Sequence, residues 1–474
     1  MKTQAYDAIV VGSGPNGLAA GLRMAQEGHS VLVLEGAKTI GGGTRTLELT
    51  LPGFQHDICS SVHPLALASP FFRSLEWGEE NIRWIHPPVP LAHPLDGGSV
   101  VVLDRSPEMT AQGLGSDERA YLRLMEPFLG SGIEQFDDYL APLHVPSMPL
   151  AYARFGWLGL NSARRLAHRR FRTVEARALI AGLAAHSMLP LEAPLTSAIG
   201  LLLGLLAHRV GWPFVAGGSQ RIPEALLQEL EKYGGQVKTG VWVENIKDLP
   251  ESRIYLLNLT PRQALAIASE RFSRGYRRQL ERYRYGPGVY KIDFALDGPI
   301  PWDAKACHKA GTLHLGGTFE EIAAAERSVW EGEHSERPFV LLTQPTHFDP
   351  GRAPDGKHIA WAYCHVPHGS TVDMTAAIEA QIERFAPGFK ARILARHTMT
   401  AQAMQAYNPN YIGGDINGGI QDWRQFFSRP TLRRIPYATS DPGIFLCSSA
   451  TPPGGGVHGM SGFHAAEAAC KRRR

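Results

Sequence analysis

The chain has 474 residues, which is too long for one simple hydrophobic core, so two domains are expected. Hydrophobic residues make up 44% of the sequence and charged residues 20%, which is typical of an ordinary soluble globular protein. The formal net charge is only +3, so the composition gives no reason to expect nucleic acid as a partner.

The first predicted elements form a strand, a glycine-rich turn, a helix and a second strand. Residues 8–11 (AIVV) are a short continuous apolar run, which indicates a strand covered on both faces. A G-x-G-x-x-G turn follows at 12–17, and the apolar residues after it have helical spacing. A second apolar run at 31–34 ends beside Glu35. This order predicts a complete dinucleotide-binding βαβ unit.

Each part of this unit has a chemical role. Gly12 permits the tight turn, Gly14 lets the backbone approach a pyrophosphate, and Gly17 lets the helix pack closely against the strand. The helix N-terminus offers free N–H groups and a partial positive charge to the anion. Glu35 is suited to accept hydrogen bonds from a ribose diol.

A second glycine cluster at 41–43, followed by Thr44 and Arg45, narrows the choice of dinucleotide. A nicotinamide domain does not need glycines at this point. A FAD site does, because the second face of the pyrophosphate requires close approach of the backbone and often a cationic partner. The sequence therefore predicts FAD as the cofactor.

These residues also carry a family resemblance. DAIVVGSGPNGLAA and VLVLEGAKTIGGGTRT resemble the N-terminal FAD signature of the amine oxidase and phytoene desaturase superfamily. Within it the chain is most similar to the phytoene dehydrogenase-related branch, the pyridine nucleotide-disulphide oxidoreductase domain-containing protein 2-like group. The stretches that favour this branch are AHSMLPLEAPLTSAIGLLLGLLAHRVGWPF, RYRYGPGVYKIDFALDGPIPW, WAYCHVPHGSTVDM and YNPNYIGGDINGG.

The resemblance implies an α/β fold: a Rossmann-like FAD-binding domain of the glutathione reductase type, with an inserted α+β substrate domain. The FAD-binding domain is expected to be discontinuous, over 1–75, 213–275 and 430–474. The substrate domain, with helical and mixed-sheet parts, is expected over 76–212 and 276–429. Together with the motifs, the resemblance assigns to the cofactor site Gly12, Gly14, Pro15, Asn16, Gly17, Glu35, Gly36, Gly42, Gly43, Thr44, Arg45, Ser60, Ser61, Val243, Asn258, Ser449, Gly455, Gly456, Val457 and His458.

The predicted substrate domain begins with helix-forming patterns joined by proline-rich segments such as 86–95. Further on, 285–297 alternates as a strand, with Lys291 and Asp293 on one face and the apolar residues on the other. Lys291 is therefore a candidate for the wall of a substrate pocket, and a solvated ion pair is the alternative. Strands are also predicted at 337–348 and 357–369, and a helix is predicted at 374–385.

The C-terminal passage SSATPPGGGVHGMSG resembles the closing motif of these flavoproteins. A last strand at 444–447 and a loop at 453–462 are expected to bring backbone N–H groups to the flavin, ahead of a helix from His464. A helix N-terminus there would stabilise the negative charge of reduced flavin. His458 in this loop and His56 in the other flavin-side segment are catalytic candidates, although packing or hydrogen bonding within the loop is the favoured alternative for His458.

The predicted activity is that of a FAD-dependent oxidoreductase. It would dehydrogenate or saturate a hydrophobic small molecule by hydride transfer with flavin N5, with oxygen or a quinone as electron acceptor. Three alternatives remain open: a flavin-dependent polyene isomerase, an amine oxidase, and a FAD-containing interaction protein with vestigial activity.

Cysteine usage and charge patterning favour a cytoplasmic protein. The five cysteines are scattered without disulfide-framework or metal-ligand spacing, and the N-terminus lacks the shape of a signal peptide. The longest apolar stretch, 195–208, is too short to span a bilayer and is predicted as a buried helix. Basic patches at 163–172 and 471–474 are interpreted either as solvated surface or as contacts with anionic lipid.

Overall fold

A computed structural model describes residues 5–130 and 132–472. Sixteen strands occur in these ranges. In chain order they are β1 (Tyr6–Val11), β2 (Val31–Leu34), β3 (Thr46–Glu48), β4 (Gln55–Asp57), β5 (Trp84–Ile85), β6 (Val89–Pro94), β7 (Val100–Leu103), β8 (Phe214–Val215), β9 (Gln236–Lys238), β10 (Ser252–Leu257), β11 (Gly288–Leu296), β12 (Ala310–Leu315), β13 (Val340–Thr343), β14 (His358–Val366), β15 (Ile393–Met399) and β16 (Ile444–Leu446).

Eighteen α-helices occur in the same described ranges. They are α1 (Pro15–Gln26), α2 (Pro64–Ala68), α3 (Pro70–Arg73), α4 (Pro107–Gln112), α5 (Glu118–Leu129), α6 (Gln135–Tyr139), α7 (Pro149–Gly159), α8 (Ala163–Arg170), α9 (Val174–Ala185), α10 (Thr196–Val210), α11 (Arg221–Lys232), α12 (Pro261–Ala268), α13 (Arg274–Glu281), α14 (Phe319–Trp330), α15 (Thr375–Phe385), α16 (Ala401–Tyr407), α17 (Trp423–Phe426) and α18 (Met460–Lys471). Arg473 and Arg474 of the terminal basic patch lie outside the described residues.

A five-stranded parallel sheet, ordered β16-β10-β1-β2-β9, carries the N-terminal unit. Successive residues of its strands alternate between two cores: Ala8 and Val10 pack towards α1, α11 and α18, whereas Ile9 and Val11 pack towards α12 and α13. Helices therefore cover both faces, which explains the continuous apolar runs of the strands. The predicted βαβ unit is confirmed.

The second large sheet has seven strands, ordered β15-β11-β14-β13-β12-β6-β7. Tyr290, Ile292 and Phe294 of β11 enter one apolar core. Lys291 and Asp293 alternate with them and lie in register with Tyr363 and Trp361 of β14. The alternation predicted for β11 is confirmed.

Several elements differ from the sequence prediction. Residues 86–95 are predicted as a proline-rich joint, but β6 occupies 89–94 and pairs with both β12 and β7. Pairing on both sides outweighs the usual exclusion of proline from inner strands. Strands β12 and β15 are not among the predictions either. The C-terminal helix begins at Met460 rather than at His464.

The apolar stretch at 195–208 forms most of the buried helix α10, as predicted. In the described ranges no helix is both long and apolar enough to cross a membrane. The two sheets face each other across a cavity. The domain boundaries proposed from the sequence stay a prediction, since β8, assigned to the cofactor domain, pairs with β5 of the substrate domain.

Candidate functional site

A cavity of about 600 Å³ lies between the two sheets. At one end it is lined by residues at the carboxyl ends of the parallel strands: Val11 of β1, Leu34 of β2, Asn258 after β10 and Ser448 after β16. This edge is where open α/β sheets bind their ligands. We call it the dinucleotide end. The opposite part, lined by the seven-stranded sheet and helix α10, is called the substrate end.

The glycine turns at the dinucleotide end leave no room for side chains. A Cβ on Gly42 would lie 3.2 Å from Gly14 Cα, and one on Gly14 would lie 3.2 Å from Asn258 Nδ2. No side chain caps helix α1, so the N–H groups of its first turn are available to an anion. These features fit a pyrophosphate that is bound by backbone N–H groups.

Gly17 does not line the cavity. A Cβ there would lie only 1.9 Å from the carbonyl oxygen of Gly12, so this glycine serves the close packing of α1 on β1. This is the packing role that the motif predicts, placed beneath the turn rather than at the ligand.

Glu35 and Arg45 are held by interactions within the protein. The Glu35 carboxylate accepts hydrogen bonds from Ser13 N–H and Oγ–H at 2.9 and 2.6 Å, from Ala37 N–H at 2.9 Å and from Arg45 Nη2 at 3.2 Å. Arg45 also donates to the carbonyls of Thr39, at 2.7 Å from Nη2, and of Ile40 and Gly42. Both residues line the cavity, and both also fix the loop between the glycine turns.

The outer part of the dinucleotide end is lined by Val241, Trp242 and Val243. Trp242 lies directly over Gly36, where a Cβ would be 2.6 Å from the indole ring. An apolar wall beside the end of β2 fits the adenine of a dinucleotide. Val243 is among the residues assigned from the sequence, and Trp242 is not.

The cofactor residues assigned from the sequence fall into two groups: those that line the cavity and those that do not. The residues that line the cavity are Gly12, Gly14, Pro15, Asn16, Glu35, Gly36, Gly42, Gly43, Thr44, Arg45, Ser60, Ser61, Val243, Asn258, Ser449, Gly456 and Val457. Those outside its lining are Gly17, Gly455 and His458. Gly455 lies against Asn417: a Cβ on Gly455 would be 3.1 Å from Asn417 Oδ1.

His458 is fully engaged within the C-terminal loop. Its Nδ1 accepts a hydrogen bond from Met460 N–H at 3.0 Å, so its Nε2 carries the proton that is donated to the Gly454 carbonyl at 3.1 Å. Burial lowers the pKa of His458 to about 4. In this arrangement the imidazole closes the loop and begins helix α18. Its catalytic role stays a prediction.

His56 and Lys291 lie behind the cavity wall. Lys291 forms an ion pair with Asp293, and His56 Nδ1 is 3.6 Å from Asp293 Oδ1. Lys291 Nζ is 5.9 Å from the centre of the Trp361 ring, and Trp361 lines the cavity. Burial lowers the pKa of His56 to about 4. Both residues are therefore one layer away from a ligand in the cavity, and their catalytic role is untested.

The substrate end is mainly apolar and aromatic. Its wall contains Met188, Leu203, Trp212, Leu341, Trp361 and Tyr363, together with the polar residues His63, His186 and Thr312. Glu35 is the only carboxylate among the described residues that line the cavity, and it lies at the dinucleotide end.

His186 supplies a ring nitrogen to this apolar wall. Its Nε2 is 3.0 Å from Nε2 of His314, so one ring donates and the other accepts. Burial, followed by the charge of His365, lowers the pKa of His186 to about 3. The imidazole is therefore neutral at physiological pH and acts through hydrogen bonding.

Sequence reasoning did not predict that the segment containing Tyr407 and Tyr411 contacts the glycine turn and closes the cavity there. Tyr407 O–H donates to the Gly42 carbonyl at 3.0 Å and accepts from Arg45 Nη1 at 3.1 Å. Tyr411 lies beside Gly43, where a Cβ would be 2.1 Å from its hydroxyl. The stretch YNPNYIGGDINGG contains both tyrosines and is distinctive in the sequence, but its contact with the glycine turn depends on residues some 360 positions away.

The fold therefore combines a Rossmann-like dinucleotide-binding sheet with a second, mixed sheet across one cavity. Residues 10–74 match the NAD(P)-binding Rossmann-like domain family. Over nearly its full length, the chain is similar to pyridine nucleotide-disulfide oxidoreductase domain-containing protein 2 of Rattus norvegicus, with 25% identity over 97% of this chain and 92% of the relative.

Two solved structures share the fold. An oxidoreductase from Methanosarcina mazei is 16% identical, with 99% of this chain and 100% of that chain covered and a TM-score of 0.64. Cyclohexylamine oxidase from Brevibacterium oxydans IH-35A is also 16% identical, with the same coverage and a TM-score of 0.60. The predicted fold class is confirmed, and so is the resemblance to the pyridine nucleotide-disulphide oxidoreductase domain-containing protein 2-like group.

Proposed function

We propose that this protein is a FAD-dependent oxidoreductase that moves a hydride between a small, largely apolar molecule and the flavin. The observation that carries the proposal is the single cavity, which has a glycine-lined dinucleotide end and an apolar, aromatic substrate end. A redox cofactor and its substrate must share one enclosed space for direct hydride transfer.

The residues at the dinucleotide end fit FAD. Gly14 and Gly42 leave space for the pyrophosphate, helix α1 directs N–H groups towards it, and Trp242 and Val243 offer an apolar wall to the adenine. Backbone of Gly456 and Val457 lies on the other side of the cavity. When bound, FAD supplies a two-electron acceptor whose N5 takes a hydride from a substrate carbon.

The substrate end supports a small substrate with an apolar body and one hydrogen-bonding atom. The whole cavity has the volume of a site for one or two small ligands, so a dinucleotide leaves limited room. Met188, Leu203 and Leu341 would contact the apolar body. His186, oriented by His314, would hydrogen-bond the polar atom.

The neutral state of the histidines supports hydride transfer without a charged catalytic base. Burial lowers the pKa of His63 to about 4 and that of His186 to about 3. Neither carries charge at pH 7, and the described part of the substrate end has no carboxylate. Orientation of the C–H bond and exclusion of water are therefore the main tasks of this wall.

Amine oxidation is the second candidate. The observation in its favour is the aromatic wall of Trp212, Trp361 and Tyr363, which suits a neutral or cationic amine. The fold shared with a cyclohexylamine oxidase adds support. Release of hydrogen peroxide from a panel of primary amines would favour this candidate over an alkene-forming dehydrogenation.

The test begins with the cofactor. Purified protein is expected to show the absorbance bands of oxidised flavin, to release FAD on denaturation, and to cycle between photoreduced and reoxidised states. Reoxidation by dissolved oxygen or by a soluble quinone then identifies the electron acceptor. Gly14→Val and Gly42→Val are expected to yield flavin-free protein because their side chains fill the glycine turns.

Gly351→Val is the matched control. Gly351 is exposed, and a Cβ there meets nothing within 4 Å. This variant should retain FAD. Wild-type protein without flavin, or with flavin that cannot be reduced and reoxidised, would contradict the proposal.

A further inference from the structure

One surface of the molecule combines exposed apolar side chains with unpaired arginines. Helix α7, the loop before it and the residue after it expose Leu143, Val145, Leu150, Trp157 and Leu160. Leu150 is 87% exposed and Trp157 is 77% exposed, which is unusual for large apolar residues. We call this set the α7 surface.

Hydrogen bonds hold the α7 surface in a defined conformation. The Asp138 carboxylate fixes the loop before α7 by accepting hydrogen bonds from His144 Nε2 and Ser147 N–H, at 2.8 and 3.0 Å, and from Met148 N–H at 3.2 Å. This arrangement holds Leu143 and Val145 outside the core. The inner side of α7 packs on α10, where Ser197 Oγ–H donates to the Leu158 carbonyl at 2.7 Å.

The stretch of chain that carries α7 and α8 contains basic but no acidic residues. No aspartate or glutamate occurs between Asp138 and Glu175, and this stretch contains six arginines: Arg154, Arg164, Arg165, Arg169, Arg170 and Arg172. Arg164 pairs with Glu192 and Glu320. Within the described ranges, the ion pairs include none of Arg165, Arg169, Arg170 and Arg172.

The arginines and the apolar residues adjoin. Ser162 caps helix α8, with its Oγ accepting from Arg165 N–H, so α8 begins directly after the exposed Leu160. Four residues of chain separate Leu160 from Arg165, so their Cα atoms are at most about 18 Å apart. Arg165 and Arg169 are spaced i, i+4 and share the exposed side of α8.

We propose that the α7 surface and the arginines of α8 dock the protein on an anionic lipid membrane. An exposed apolar helix face with a tryptophan suits the boundary between headgroups and acyl chains. Unpaired arginines beside it complement the negative surface of such a membrane. A soluble acidic protein would match the arginines but would leave the apolar face of α7 without a partner, whereas a bilayer satisfies both.

Docking on this side has a consequence for substrate supply. Helix α10, on which α7 packs, carries Leu203 into the wall of the substrate end. The docked surface is therefore one helix away from the cavity. An apolar substrate dissolved in the bilayer would be close to the site that consumes it.

The test is sedimentation of the purified full chain with lipid vesicles. Wild-type protein is expected to sediment with vesicles of phosphatidylcholine and phosphatidylserine, to remain in solution with pure phosphatidylcholine, and to be released by high salt. R165E/R169E should lower the partition coefficient about 30-fold or more, because each arginine near the surface contributes about a fivefold step. Trp157→Ser should lower it about tenfold.

The control variants carry the same types of substitution on other parts of the protein surface. R274E/R278E changes the charge equally at two arginines of α13 that are also spaced i, i+4, and Trp423→Ser removes another exposed tryptophan. Both should bind as the wild type does, and the flavin content and thermal unfolding of all variants should be unchanged. Absence of wild-type binding, equal loss in the controls, or a dimer in solution that Trp157→Ser dissociates would each overturn the proposal.

Discussion

Individual glycines determine how closely the first and last helices approach. A Cβ on Gly462 of α18 would lie 1.8 Å from the carbonyl oxygen of Asn16 in α1. No other residue fits such a contact without moving a helix. The sequence suggests this role for Gly17, which lies in a recognised motif, but not for Gly462, whose neighbour is more than 440 positions away.

Gly462→Ala is expected to destabilise the protein by about 1–3 kcal/mol, because the methyl group forces α1 and α18 apart. The midpoint of urea unfolding measures the effect. Gly275→Ala is the matched control, since Gly275 is also helical and a Cβ there meets nothing within 4 Å. The control should gain stability by about 0.5–1 kcal/mol. Equal changes in the two variants would contradict the packing argument.

Asp57 is buried beneath the cavity, and its ionised state depends on Arg352. Burial alone would raise its pKa, but the Arg352 guanidinium at 2.9 Å and hydrogen bonds from Ser219 N–H and Ser61 Oγ–H hold it at about 2. A carboxylate with a lowered pKa stabilises the fold above the unfolded pKa, near 4, and this contribution is lost as the pH falls towards 2. Sequence reasoning cannot find Arg352 because the ion pair spans almost 300 residues.

Asp57→Asn is therefore expected to reduce the dependence of unfolding free energy on pH. Between pH 5 and pH 2 the wild type should lose roughly 2 kcal/mol more than the variant, as the shift of the Asp57 pKa requires. Urea unfolding at several pH values measures the difference. Parallel pH profiles for the two proteins would be inconsistent with this assignment.

His186 is the residue on which the proposed substrate recognition depends most. His186→Phe should lower kcat/KM about tenfold, because it removes one neutral hydrogen bond while keeping an aromatic ring. His347→Phe, at an exposed histidine outside the cavity lining, is the control. Steady-state kinetics on the first identified substrate measure both. An unchanged kcat/KM in His186→Phe would remove His186 from the substrate site.

At the scale of elements, the segment after α16 joins the two halves of the molecule. Tyr407 lies at the end of α16, in the second domain, and its hydroxyl contacts Gly42 and Arg45 of the glycine turn. Arg45 is also 5.7 Å above the Tyr407 ring. The individual elements follow from apolar periodicity, as for β1, α1 and β11, whereas contacts between elements do not. Strand β6 was missed for the same reason, since its two neighbours decide its conformation.

Tyr407→Phe is expected to weaken FAD binding about tenfold, because Gly42 and Arg45 each lose a hydrogen-bond partner beside the pyrophosphate site. Equilibrium titration of the apoprotein with FAD measures the dissociation constant. Tyr121→Phe also removes one buried tyrosine hydroxyl, which bonds to His208 away from the cavity, and should leave FAD affinity unchanged. Equal affinity in wild type and Tyr407→Phe would refute this role.

At the scale of the whole molecule, residues from both sheets line one cavity, so a ligand that fills it contacts both sheets. A ligand that binds only the folded state adds about 2.7 kcal/mol of stability at a free concentration 100 times its dissociation constant. FAD should therefore raise the unfolding temperature of both sheets together in a single transition. FMN, which lacks the adenine half, should produce a smaller shift.

Differential scanning calorimetry of the apoprotein with FAD or FMN checks this expectation. Two separate transitions, of which FAD moves only one, would contradict the coupling between the sheets. A shift with FMN as large as that with FAD would contradict the proposed packing of the adenine against Trp242.

The contact of Gly462 with Asn16 also makes the dinucleotide end depend on widely separated parts of the sequence. The glycine turn belongs to the first strand and helix of the described chain, whereas α18, which packs against α1, and β16, which adds an edge strand to the same sheet, follow all the other elements. The glycine motif alone is therefore not a folded binding site. We expect a fragment that contains the glycine turn but lacks β16 and α18 to bind FAD poorly, because neither the helix nor the edge strand would support the turn.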